Sequence, residues 1–206
     1  VGIIDDLDGT GPRLIYFGKD TFISQAYVRI VSISASQDSI AFAITIDDPE
    51  AVGEIHSISL FHDDDLAQEA IDLGTRQFDS LLSGNEYSIV IDYAYDLGDE
   101  VGIRHSLSQA TIFTEAKAVP SVSLSDINSG QTEISFLALI SDPDNTVTAS
   151  SMALYEGETL IQEAGSEIGF SLFMGLEINT NYTVRIDYEY DLSDGSGKQS
   201  GVFEYA

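Results

Sequence analysis

The sequence has no cysteine and no tryptophan, only four prolines, and eight Lys or Arg residues against 35 Asp or Glu. Each shortage excludes something. Without cysteine there is no disulfide framework, no thiolate nucleophile and no thiolate metal site. The scarcity of cations leaves a formal net charge of -27, which disfavours nucleic acid and anionic lipid, because both are bound through cationic contacts. No apolar run approaches the ~18 residues that a membrane helix needs, so no membrane insertion is expected. No nucleophile motif, phosphate loop or dinucleotide fingerprint is present, and no enzyme activity is expected. Neither a secretory signal nor a wall-anchoring tail is visible, so any targeting segment is expected to have been removed or to lie outside this stretch.

What is present is a repeat. Hydrophobic residues make up 43% of the chain, enough for a core, and 206 residues suit two small domains. The segment from Tyr87 to Gly102 matches that from Tyr182 to Gly197 at nine of sixteen positions. The register extends upstream: Phe78 and Leu81 answer Phe173 and Leu176, and Leu60-Phe61 answer Leu154-Tyr155. Ile40, Phe42, Asp48 and Pro49 answer Ile134, Phe136, Asp142 and Pro143. The copies are therefore expected to run from 22 to 117 and from 118 to 206.

Within each copy apolar residues recur with period two, as a sheet buried on one face requires. Ile40, Phe42, Ile44 and Ile46 are expected to share a face, as are Tyr87, Ile89, Ile91, Tyr93 and Tyr95. Clusters such as Ser83-Gly84-Asn85 and Asp142-Pro143-Asp144-Asn145 mark turns between strands. One stretch, Asp63 to Leu73, looks helical, but its counterpart Gly157-Glu158-Thr159-Leu160-Ile161 does not, so strand and loop are expected in both. About seven short strands per copy predict an all-β chain of two tandem immunoglobulin-like sandwiches.

Leu81 followed by Tyr87-Ser-Ile-Val-Ile, and Leu176 followed by Tyr182-Thr-Val-Arg-Ile, resemble the E-to-F corner and F strand of bacterial fibronectin type III domains, over nearly all of residues 22 to 206. The resemblance implies a tyrosine corner: each ring fills the core while its hydroxyl bonds backbone across the turn. It departs where that family usually carries a tryptophan, since Ile46 and Ile140 stand there.

Acid recurs at two loops. Asp48-Pro49-Glu50 and Asp142-Pro143-Asp144 follow the B strand, while Asp96 with Asp99 and Asp191 with Asp194 follow the F strand. The resemblance places both loops at one pole. Hard oxygen ligands from two loops suit calcium, whereas Asp, Pro and Gly also simply make good turns. In copy two these loops are expected to face copy one across the linker near Lys117-Ala118-Val119-Pro120. The histidines His56, His62 and His105 do not recur, and His56 and His62 lie too far apart along one strand to share a metal. Asn181-Tyr182-Thr183 is a formal glycosylation sequon whose central Tyr is claimed by the core.

The expected role is a structural or adhesive segment of an extracellular surface protein, fibre or filament, whose partners are neighbouring repeats or copies of itself. The alternatives are an accessory module binding carbohydrate or protein, and a virion appendage or capsid decoration. Residues 1–21 read as the tail of a further upstream copy or as a donated strand. Asp5-Asp6-Leu7-Asp8-Gly9-Thr10-Gly11 aligns with Asp191-Leu192-Ser193-Asp194-Gly195-Ser196-Gly197, which puts Phe17 where Phe203 stands.

Overall fold

A computed structural model describes residues 2–4, 13–15, 26–49, 51–70, 74–98, 100–165 and 168–206. Every regular element among them is a strand. β1 (Gly2–Ile4) and β2 (Arg13–Ile15) pair antiparallel as a separate two-stranded sheet, with Leu14 opposite Ile3. Tyr16 and Phe17, the rest of the expected closing strand, lie outside the described residues, as does Phe22.

Copy one contains β3 (Tyr27–Ala35), β4 (Ser39–Asp47), β5 (Gly53–His62), β6 (Asp65–Glu69), β7 (Gln77–Asp79), β8 (Glu86–Tyr95) and β9 (Arg104–Phe113). They form a three-stranded sheet, β3-β4-β7, and a four-stranded sheet, β6-β5-β8-β9. Copy two repeats the plan with β10 (Ser121–Ser129), β11 (Glu133–Ser141), β12 (Val147–Glu156), β13 (Thr159–Glu163), β14 (Phe170–Met174), β15 (Thr183–Asp191) and β16 (Lys198–Tyr205), in the orders β10-β11-β14 and β13-β12-β15-β16. All pairings are antiparallel. Three strands facing four, twice over, is a tandem of fibronectin type III-like sandwiches. The helical-looking stretch of copy one holds β6, and Ile71 to Leu73 lie outside the described residues.

Period-two patterning produces the cores. Along β8 the residues Tyr87, Ile89, Ile91, Tyr93 and Tyr95 are all buried, and they meet Val28, Ile40, Phe42 and Phe78 of the opposing sheet. In copy two Phe136 and Phe173 meet Met152, Leu154, Val184 and Ile186. Phe42 and Phe78 pack at 5.9 Å between ring centroids, and Phe136 and Phe173 at 6.0 Å. The expected β4 face is buried only in part, since Ile44 is half-buried and Ile46 exposed. Burial therefore fades along this strand toward Asp47 and the acidic loop.

Both tyrosine corners form. Leu82 N donates to the Tyr87 hydroxyl at 2.9 Å, and Glu177 N donates to that of Tyr182 at 2.9 Å. Tyr87 is fully buried, but Tyr182 is only half-buried. Ile112 of β9 pairs with Tyr87 and packs on the core.

Candidate functional site

The acidic loops sit where each sandwich leaves its second strand, and their sequence explains their shape. In Asp142-Pro143-Asp144-Asn145 the proline presets φ for the turn, and Asn145 takes the left-handed conformation at φ 53°. The turn closes with Asn145 N donating to Asp142 O at 3.3 Å. Ala51 N donates likewise to Asp48 O at 3.1 Å.

The first aspartate of each loop then binds the backbone ahead of it. Asp48 accepts from Val52 N at 3.1 Å and Gly53 N at 2.9 Å, and the Tyr93 hydroxyl donates to it at 2.6 Å. That hydroxyl above all, with the amides, holds the Asp48 carboxyl below its ordinary range against a smaller desolvation cost. Burial, reinforced by the carboxylate, pushes Tyr93 up to about 12. Gly53 allows this approach, because a Cβ there would lie 2.6 Å from both Ala94 O and the Tyr93 ring. Asp142 repeats the pattern with a substitute donor: it accepts from Thr146 N, Thr146 Oγ1 and Val147 N at 2.8, 2.9 and 2.8 Å. Desolvation pushes the Asp142 carboxyl up, and these three bonds outweigh it, leaving a lowered pKa.

The remaining acids divide between local turns and the junction of the copies. Asp96 accepts from Gly98 N at 2.8 Å, and Asp191 from Ser193 N at 2.8 Å. Asp194 accepts from Ser196 N and Oγ at 2.9 and 2.6 Å, and the hydroxyl bond leads in lowering its pKa. Glu50 and Asp99 lie outside the described residues. Among the described residues, no three acidic or histidine side chains come together so as to hold a metal ion. The described carboxylates each accept from N–H or O–H donors of their own loop, of Tyr93 or of the junction.

Asp144 reaches across to copy one. Its two oxygens accept from Gln37 Nε2 and from the linker amide Ala118 N, each at 2.7 Å. The Gln37 bond, then the Ala118 bond, keeps its carboxyl below the ordinary range, with Lys117 nearby assisting. The β15–β16 loop meets copy one beside it. Ser83 N donates to Ser193 O at 3.0 Å, Ser83 Oγ to Leu192 O, Asn85 Nδ2 to Asp194 O at 3.1 Å, and Lys117 Nζ to Ser193 Oγ at 3.0 Å. Thr114 braces the copy-one side, since its hydroxyl donates to Leu82 O at 2.6 Å and receives Asn85 N at 3.0 Å. The expected meeting of the acidic pole with copy one is thus found for Asp144 directly and for Asp194 through its carbonyl. Gln37, Ser83 and Asn85 gave no advance sign beyond marking turns.

Two histidines from different strands also meet. His56 is the extra residue of a bulge in β5, between Ile55 opposite Tyr93 and Ser57 opposite Asp92. Its ring lies 5.6 Å from that of His105, whose Nδ1 is 2.8 Å from Asp92. His62 instead stacks on Tyr87 at 5.0 Å and bonds Asn85 Oδ1 at 3.1 Å.

No protein-family model matches this chain. No curated protein matches it either. Among solved structures, the fibronectin(III)-like modules of Clostridium thermocellum CbhA match over 86% of this chain and 92% of theirs, at 14% identity and a TM-score of 0.27. A segment of two fibronectin type-III domains from chicken tenascin matches over 84% of this chain and 97% of its own, at 17% identity and a TM-score of 0.31. Three N-terminal domains of the bacteriophage RB49 highly immunogenic outer capsid protein (Hoc) match over 87% and 58%, at 14% identity and a TM-score of 0.34. Likeness this distant says nothing of function, and the fold rests on the strand pairing above.

Proposed function

We propose that this chain is a non-catalytic structural segment, two modules held in a set relative orientation, of an extracellular surface protein, fibre or filament. One observation carries the reading: the junction is bonded from three parts of copy one, the β3–β4 turn at Gln37, the β7–β8 loop at Ser83 and Asn85, and the linker at Lys117 and Ala118. A flexible tether would leave these groups to water. A spacer needs the angle between modules fixed, and these bonds support that through Gln37, Ser83, Asn85 and Asp144, which are buried or half-buried. The strong negative charge fits such a role, since like-charged segments repel and stay extended.

The test is small-angle scattering with residual dipolar couplings on the intact pair. One alignment tensor should fit both modules. The double variant Asp144→Ala with Asn85→Ala should split it into two tensors and lower the maximum dimension's definition, with each module still folded. Two independent tensors in the unaltered protein would refute the reading.

A further inference from the structure

Phe170, Leu172 and Met174 form a row on the outer side of β14, while Ser171 and Phe173 between them face the core. β14 pairs with β11 in the register Leu137 opposite Phe170 and Glu133 opposite Met174, which brings Leu137 and then Leu139 onto the same side. Five apolar side chains thus share one outward face. Four of them are open to solvent: Phe170 is 69% exposed, Met174 60%, Leu139 49% and Leu172 47%.

Copy one does not build this face. Its β7 pairs with β4 in the matching register, Ile40 opposite Phe78 as Ile134 is opposite Phe173. At the positions of Leu172 and Met174 it carries Gln77 and Asp79, and at those of Leu137 and Leu139 it carries Ala43 and Thr45. The sandwich therefore does not require apolar groups there. A contiguous patch that the fold does not require marks a contact surface.

Area and charge select the occupant. At about 200 Å² for each full side chain, the four exposures come to roughly 450 Å², within the range of the largest apolar patch on a monomer. Two such patches face to face would bury about 900 Å², and with the bordering Ser123 and Ser125 of β10 the total reaches the roughly 1,000 Å² that a specific association needs. β11 and β14 carry between them one charged residue, Glu133, on a chain of net charge -27. A basic partner would be drawn to the acids elsewhere, whereas a second copy is repelled from those acids and admitted at this neutral face.

We propose that the outer face of the β10-β11-β14 sheet joins two copies of this chain, second module to second module, about a two-fold axis. The contact is made by side chains rather than by strand addition at the edge, because the Met174 carbonyl at the edge of β14 already accepts from Gln162 Nε2 at 2.6 Å. This goes beyond the spacer reading and uses no residue of the junction, so either can fail without the other.

The experiment combines sedimentation equilibrium of the full chain with methyl-labelled methionine. The two methionines report opposite places, since Met152 is buried in the core and Met174 lies on the face. A dimer should form with a dissociation constant below about 1 mM, and it should tighten several-fold between about 0.05 and about 0.5 M salt, because salt screens the repulsion. The Met174 methyl should shift with protein concentration while that of Met152 stays. Leu172→Gln with Met174→Asp, the residues that copy one carries, should weaken association at least tenfold with both modules still folded. A monomer at about 1 mM protein in about 0.5 M salt, a dimer that persists in the folded double variant, or a Met174 methyl indifferent to concentration would overturn the proposal. The methyl readout needs only the unaltered protein, so it decides even where the variant misfolds.

Discussion

The Tyr93 hydroxyl donates to the Asp48 carboxylate at 2.6 Å, tying the end of core strand β8 to the acidic loop at the pole. Copy two reaches the same end differently: Thr146 Oγ1 serves Asp142, and Tyr188, at the position of Tyr93, donates to Pro120 O in the linker at 3.3 Å. The pair in copy one should govern stability at both pH extremes. Asp48 titrates lower in the folded state, so its contribution is present above the unfolded carboxylate value and is lost as pH falls through the folded one. Tyr93 titrates higher, so its contribution is full below the unfolded value of 10.0 and is lost as pH rises through about 12. Tyrosinate absorbance should therefore show a group titrating near 12, and Asp48→Asn should bring it earlier. An unchanged late group in that variant would break the assignment.

The core of copy two should fail at Phe136. It is fully buried, packed against the tilted ring of Phe173 and placed opposite Ser171 in the sheet. Phe136→Ala should cost about 3–5 kcal/mol and Phe136→Leu clearly less, because leucine leaves a smaller cavity. Denaturant midpoints of the copy-two transition read this out, with copy one as internal reference. A loss below about 1 kcal/mol for the alanine variant would mean the site collapses without cost.

The corners should differ in strength. Tyr87→Phe removes the acceptor for Leu82 N in a part-buried setting, where the ring itself is buried, and should cost about 1–2 kcal/mol. Tyr182→Phe removes the acceptor for Glu177 N, an exposed residue that water can serve, and should cost less. Equal losses in paired denaturation curves would contradict the difference in burial.

The fold was legible because its signals are local and doubled. Alternation along Tyr87 to Tyr95 shows which side chains point inward, and the match to copy two made chance alternation untenable. The helical look of Asp63 to Leu73 was resolved the same way, by the glycine at 157. The site was legible only in outline. The acids of the loops were visible, but the direction of a carboxylate depends on which amides the turn exposes to it, and no spacing encodes that. His56 and His105 are 49 residues apart in sequence and meet only because a bulge turns one toward the other across β8. Gln37 and Asn85 resemble any turn residues until the second module is set against them.

The junction should loosen in acid before the modules unfold. Asp144 is held below its ordinary range by Gln37 and Ala118, so its bonds are intact above the unfolded carboxylate value and are lost as pH falls through the depressed folded value. The intermodule couplings should then disappear while the intramodule ones remain. Asp144→Ala should show the loosened state at neutral pH. Simultaneous loss of both kinds of coupling in acid would mean the junction has no titration of its own.

Calcium should leave the protein as it is. The case for a calcium site rested on Asp48, Glu50, Asp96 and Asp99 in copy one and on Asp142, Asp144, Asp191 and Asp194 in copy two converging at the poles. Asp48 and Asp142 instead turn their oxygens to the amides that follow and to a hydroxyl each, and Asp144 turns both of its oxygens to Gln37 and the linker. A cation entering there would have to displace those donors and break the turns they hold, whereas a built calcium site presents six or more oxygens without such a cost. Millimolar calcium should thus change neither the melting temperature nor the scattering profile beyond what magnesium at equal ionic strength does, since both ions screen the net charge alike. Asp142→Asn separates the two readings further. As a loop staple it should lower the melting temperature with or without calcium, because an amide is a weaker acceptor for Thr146 and Val147. As a ligand it should do so only when calcium is present, and that result, or heat of binding specific to calcium, would restore the metal reading.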